Sequence, residues 1–336
     1  ADALRVDPGF LTGQPYPPSN ASQALVTGVT HRIRRLVGRI ALPPDAQSPV
    51  PLDEAEAAVA RAVATAEDGD ESALASTLPE LLAGVATADS PPTERARRKD
   101  LGCQVLLLAA GLLRRLGHWD LAWTLTHEAE QRIGPGGGVL LEQARLLCAC
   151  GHPDQALARV ARGSGTAPGD RDPFDDVQPD QIRDAELASL VAVAQAITGH
   201  PGTAMRTVDS AERRAGSPAA LAVLAATRVV LAVESGAVDK VHGLLDAVDQ
   251  TTLAPADRAS LLVTAAAAAA RQDAIGDAVI HLTEADRLAP LRTGLDPFAR
   301  DLLIVLPTHA HHADTSPALR FLADRAGLSP HDPGSR

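Results

Sequence analysis

Leu116-Gly117-His118-Trp119-Asp120-Leu121-Ala122 is the stretch that decides the fold. A glycine ends one apolar run, and five positions later a small residue stands near the start of the next. Thirty-four residues further on the pattern returns as Cys150-Gly151-His152-Pro153-Asp154-Gln155-Ala156. It returns again as Thr198-Gly199-His200-Pro201-Gly202-Thr203-Ala204 and as Ser235-Gly236-Ala237-Val238-Asp239-Lys240-Val241. A fifth copy, Gln272-Asp273-Ala274-Ile275-Gly276-Asp277-Ala278, keeps the spacing with Asp in the glycine position. Glycine reaches the left-handed conformation that closes a helix, and Asp tolerates it better than most residues. The small residue (alanine in four copies, valine in one) marks a place where two helices touch.

Two more positions keep the register. Seven residues after the small residue stand Ala129, Gly163, Ala211, Val248 and Ala285. Seven before the turn residue stand Ala110, Ala144, Ala192, Val229 and Ala266. This resembles the tetratricopeptide (TPR) repeat, with its terminal proline at Pro168 and Pro290 and one residue late at Pro135. The resemblance implies an all-α fold, a TPR-like right-handed superhelix of antiparallel helix pairs. Composition agrees, because apolar content is 45% while aromatics are only 2%, with no alternating run of β-branched or aromatic residues of the kind strands need.

Outward from the repeats, turn residues 117, 151, 199, 236 and 273 lie 34, 48, 37 and 37 apart. The long interval holds an insertion, Gly163 to Pro179, rich in Gly, Pro and Asp, which reads as a loop. An earlier degenerate pair is expected over Leu52–Ala86, turning at Asp68-Gly69-Asp70, and Thr87–Pro92 reads as a linker. Pro297–Leu306 and Pro317–Ala326 read as two closing helices with proline at their starts. The expected division is a leading segment and hinge over 1–19, a helical segment over 20–90, repeats over 91–290, and capping helices with a tail over 291–336.

The leading segment, Ala1-Asp2-Ala3-Leu4-Arg5-Val6-Asp7-Pro8-Gly9-Phe10-Leu11-Thr12-Gly13, resembles the end of an XRE-family (Cro/repressor-like) helix-turn-helix domain. Arg300-Asp301-Leu302 and Pro317-Ala318-Leu319-Arg320-Phe321-Leu322-Ala323-Asp324-Arg325-Ala326-Gly327 are similar to the late segment of actinobacterial XRE-type regulators with a C-terminal TPR sensor. The resemblance implies the ligand- or peptide-sensing and dimerisation part of a transcriptional regulator, homodimeric, which meets DNA only through an N-terminal domain. The helices that would read DNA are missing from this sequence, so the resemblance implies a truncated or cleaved form. A stand-alone TPR adaptor for a protein partner is the alternative, and an enzyme with a buried helical pocket is a third reading.

Net charge is −11, which argues against this stretch binding nucleic acid by itself. Lys99 and Lys240 are the only lysines. The three cysteines, Cys103, Cys148 and Cys150, read as reduced, buried thiols of a cytoplasmic protein. No apolar run suits a membrane span and no signal peptide is visible, so no membrane association is expected. The sequence holds no P-loop, G-x-S-x-G or H-E-x-x-H pattern, so neither catalysis nor a cofactor is expected.

Candidate site residues follow from the register. The first helix of each repeat lines the concave face, which places Gln104, Leu107, Arg114, Arg145, Glu186, Ser189, Val230, Glu234 and Arg271 toward a groove. Leu141, Val193 and Val233 make that groove apolar, suited to a peptide, an amphipathic helix or a greasy small molecule. Arg114 and Arg145 stand on consecutive repeats. They either form a clamp for a carboxylate or phosphate, or pair with acids of the chain itself. Arg32, Arg34, Arg35 and Arg39 make one basic helix, able to touch DNA backbone or an acidic partner, or simply solvated. His309, His311 and His312 are the weak candidates for a metal, and otherwise a polar loop.

Overall fold

In a computed structural model, the structure describes residues 13–40, 50–86, 93–163, 181–309 and 316–328. These residues form helices and connections, with no strand among them. The helices are α1 (Ala21–Ile40), α2 (Leu52–Glu67), α3 (Glu71–Ala86), α4 (Arg95–Arg115), α5 (Trp119–Ile133), α6 (Gly137–Ala149), α7 (Pro153–Gly163) and α8 (Gln181–Ile197). Then follow α9 (Pro201–Arg214), α10 (Pro218–Glu234), a 3-10 turn (Val238–Lys240) leading into α11 (Val241–Asp246), α12 (Pro255–Arg271), α13 (Ile275–Leu288), α14 (Pro290–Leu295), α15 (Pro297–His309) and α16 (Ser316–Ala326). The leading residues 1–12, the 87–92 linker and, apart from Gly163, the insertion of Gly163 to Pro179 lie outside the described residues.

The repeat turns share one geometry. Gly117, Gly151, Gly199 and Gly236 have φ between +76° and +88°, and Asp273, at +60°, is the sole non-glycine with positive φ among the described residues. Each turn is closed by the same long hydrogen bond, from His118, His152, His200, Ala237 and Ala274 back to the carbonyls of Leu113, Leu147, Gln195, Ala232 and Ala269. That bond satisfies a carbonyl left over at the helix end. Gly69 (φ +76°) makes the same turn between α2 and α3, with Asp70 donating to the Thr65 carbonyl.

The small residues lie where the helices meet. Ala110, Ala144, Ala192, Val229 and Ala266 are fully buried, as are Ala122, Ala204 and Ala278. At Gly163 a Cβ would collide with the Leu140 side chain, so glycine is what lets α7 close on α6. Neighbouring helices pack as pairs, and the first helices of successive pairs, α4, α6, α8, α10 and α12, pack on one another.

The end of the chain returns to its beginning. α12 packs against α2, and α14 against α3. Gly69 sits so close to Ala289 that a Cβ added to it would stand 2.7 Å from the Ala289 Cβ. Asn20 Nδ2 donates to the Arg325 carbonyl at 2.9 Å, and the Arg300 guanidinium lies 3.7 Å from the Tyr16 ring centre. The contact is centred on Glu71, which is 2% exposed. Its carboxylate takes Arg115 Nη2 at 3.0 Å and Arg292 Nε at 3.1 Å, so α3, α4 and α14 meet at one anion. Burial alone would push the Glu71 carboxyl up, but the Arg115 and Arg292 guanidiniums more than reverse this and hold it below its ordinary value.

α14 departs from the sequence expectation. Pro290 reads as a repeat terminator, yet it is the first residue of a further helix, where its fixed φ and missing N–H fit. Two cysteines also differ from expectation. Cys103 is buried, but Cys148 and Cys150 are half-buried: Cys148 is on the last turn of α6, where it lines a cavity, and Cys150 caps that helix. Burial raises the Cys103 and Cys148 thiols to about 11.

Candidate functional site

Between the two ends of the chain lies a cavity of about 1030 Å³. One wall comes from α4, α6 and α8: Gln104, Leu107, Leu108, Arg114, Leu141, Glu142, Arg145, Arg183 and Glu186. The facing wall comes from α2, α12, α14 and α15, with Val63, Glu67, Asp257, Arg292 and Phe298 among its residues. Gln14, the second described residue of the chain, also reaches it, because Gln14 and Pro15 pack on the Gly117 turn.

The charged wall is a ladder across successive helices. Arg114 Nε donates to Glu142 Oε1 at 2.7 Å. Arg145 lies 3.9 Å from the other oxygen of Glu142 and 3.3 Å from Glu186. The ladder therefore alternates in sign from α4 through α6 to α8. Gly111 makes room for it, since a Cβ there would approach Arg115 Nη1 at 3.3 Å and the Glu142 carboxylate at 3.7 Å. Burial lowers the Arg114 guanidinium, from so high a starting value that it stays charged. Burial also acts to lower Arg145, but Glu186 and Glu142 overcome it and the net direction is upward. At Glu186 burial dominates, and the carboxyl is raised despite Arg145. Trp119, at the start of α5, contributes a buried indole Nε1 with no hydrogen-bond partner.

Sequence reasoning placed nine residues on one groove. The structure brings Gln104, Leu107, Arg114, Arg145 and Glu186 together at the cavity. Ser189, Val230, Glu234 and Arg271 stand elsewhere. Ser189 Oγ accepts from Thr227 at 2.6 Å, Arg271 donates to the Val233 carbonyl at 2.7 Å, and Glu234 is exposed. Of the two readings of Arg114 and Arg145, the structure shows pairing with acids of the chain itself. The residues that sequence reasoning missed are Glu142, Trp119, and the opposite wall of Glu67, Asp257 and Arg292. Gly111 was the available signal, since a glycine in the middle of an otherwise strong helix costs stability unless something needs the space.

Arg32, Arg34 and Arg35 are exposed on α1, and Arg34 lies 3.8 Å from Asp120. Arg39 stands on the same helix, with its side chain outside the described residues. His311 and His312 also lie outside them, as does the side chain of His309 at the end of α15. Among the described residues, no helix is long and apolar enough to cross a membrane.

Compared with protein-family models and with curated proteins, the chain matches none.

Proposed function

We propose that this chain is the ligand-sensing and dimerisation part of a transcriptional regulator of the XRE type, built on TPR-like repeats wound into a right-handed superhelix. The observation that carries the reading is the position of Gln14. It belongs to the hinge that follows the helix-turn-helix-like segment, and it lines the same cavity as the ion ladder of α4, α6 and α8. A ligand there touches the hinge, both ends of the chain and the repeats at once. A difference in ligand affinity between two arrangements of these parts is what a sensor needs. Exposed apolar side chains on the last helices, Ile304, Val305 and Phe321, supply a surface for a second copy.

That same surface favours the second reading, an adaptor that holds a protein partner and never meets DNA. One experiment separates the two. The native gene product is immunoprecipitated from its host, and bound DNA is sequenced for wild type and for Arg145→Gln. Discrete DNA sites whose occupancy changes in the variant support the sensor. Sites that are indifferent to Arg145→Gln and to every other cavity variant contradict the sensing. Absence of any enriched DNA contradicts the regulator and leaves the adaptor.

A further inference from the structure

The cavity is polarised. On the α4–α6–α8 wall, four guanidiniums (Arg114, Arg115, Arg145 and Arg183) line the space with two carboxylates, Glu142 and Glu186. Arg114 spends only its Nε–H on Glu142, and Arg145 is held loosely at 3.3 Å or more, so both keep N–H donors for a further acceptor. Trp119 adds another donor, its buried and unpartnered indole N–H. Across the cavity Arg292 is spent on Glu71, which leaves acids as the open groups of that wall. Glu67 at the end of α2 and Asp257 at the start of α12 both line the space, and neither carboxylate makes an ion pair or hydrogen bond among the described residues. Burial, together with the negative neighbours Asp257, Asp68 and Glu186, raises the Glu67 carboxyl. Leu107, Leu108, Leu141 and Val63 line the space with apolar surface.

We infer that the cavity takes an amphipathic zwitterion, with its carboxylate on Arg114 and Arg145, its ammonium toward Glu67 and Asp257, and its apolar body on Leu107, Leu108 and Leu141. This rests on the cavity being a ligand site, and it adds the class and direction of the ligand. Each charged end supplies what its wall lacks. A plain anion would leave the exposed carboxylates of Glu67 and Asp257 to water, and a plain amine would leave the remaining donors of Arg114 and Arg145 unspent.

Calorimetric titration with tri-leucine in four forms tests the inference: free, N-acetylated, C-amidated and blocked at both ends. An ω-aminoalkanoic acid runs beside them to separate a peptide source from any other chain that carries the same two charges. The free peptide is expected to bind at least about tenfold tighter than either singly blocked form, equivalent to about 1.4 kcal/mol per charged end. In Glu67→Gln/Asp257→Asn, acetylation should cease to matter while amidation still does. In Arg145→Gln the two effects should exchange. The Glu67 and Asp257 side chains are exposed, so that variant keeps the test open if Arg145→Gln fails to fold. Tight binding of the free tripeptide alone, or of the ω-amino acid as well, supports the inference and tells whether peptide bonds are read. Blocked forms that bind as well as the free one overturn it while leaving the cavity a ligand site. No binding by any form at millimolar concentration also overturns it, and the DNA experiment still decides the sensor reading on its own.

Discussion

Two parts of the helix stack share one repeat turn and differ in chemistry. In α4, α6 and α8 the inward side chains form an ionised ladder from Arg114 to Glu186, and a cavity lies over it. From α8 on to α10 and α12 the contacts that follow are uncharged or reach the backbone: Thr227 to Ser189, and Arg271 to the Val233 carbonyl. The turns are the same in both halves, and so are the buried alanines and valines. The fold rules therefore set the helices, and a few inward positions decide where chemistry gathers. Paired charges held out of water are costly unless every partner is present. The ladder is the half of the molecule where single substitutions should cost most.

The largest effect is expected at Glu71, which joins the charged half to the end of the chain. Glu71→Ala leaves Arg115 and Arg292 buried without their anion, and should cost about 3–5 kcal/mol in denaturant unfolding. A loss under about 1 kcal/mol would show that the contact adds nothing to the fold. The pH dependence has a definite sign. The folded-state value of Glu71 is depressed, so its contribution is complete above the ordinary value of 4.5 and is lost as pH falls through the folded value. Glu186 and Asp296 are raised, mainly by burial, and they add stability as pH falls. Glu71→Gln should therefore lose less stability than the wild type on acidification from about pH 5 to about pH 3.

The turns offer the next comparison. Gly69 and Gly236 have the same φ, +76°, but Gly69 is packed on Ala289 while Gly236 has nothing within 4 Å of an added Cβ. Gly236→Ala should cost about 1–2 kcal/mol, the price of the left-handed backbone alone. Gly69→Ala should cost about 1–3 kcal/mol more, because it also forces apart the two ends of the chain. Equal losses would mean that the ends are not pressed together there. The smallest effect belongs to the uncharged contact between α8 and α10, where Ser189→Ala should cost about 0.5–1.5 kcal/mol for one neutral hydrogen bond. A loss as large as that of Glu71→Ala would erase the contrast between the halves.

The repeats were legible because each turn and small residue answers to neighbours a fixed distance along the chain. Gly117, Ala122 and Ala129 announce themselves by spacing, and even Asp273 does so without glycine. The closure was not legible, because Glu71 and Arg292 lie 221 residues apart and follow no period. An acid in the first turn of a helix reads as a favourable partner of the helix dipole, so nothing local marks Glu71 as buried. Half of the site was equally hidden. Register alone placed Arg114, Arg145 and Glu186, but Glu67 and Asp257 meet them only once the last helices fold back. Counting along the register also names Ser189, Val230, Glu234 and Arg271, which do not line the cavity, because the repeat does not say where the returning helices stop.

The most direct test of this account is a double-mutant cycle on Glu71 and Arg292, with Glu71→Gln, Arg292→Gln and the pair compared by denaturant unfolding. A coupling of about 1–3 kcal/mol is expected if the two ends close through this carboxylate. Losses that add within about 0.5 kcal/mol would contradict the closure, and with it the cavity that the closure completes.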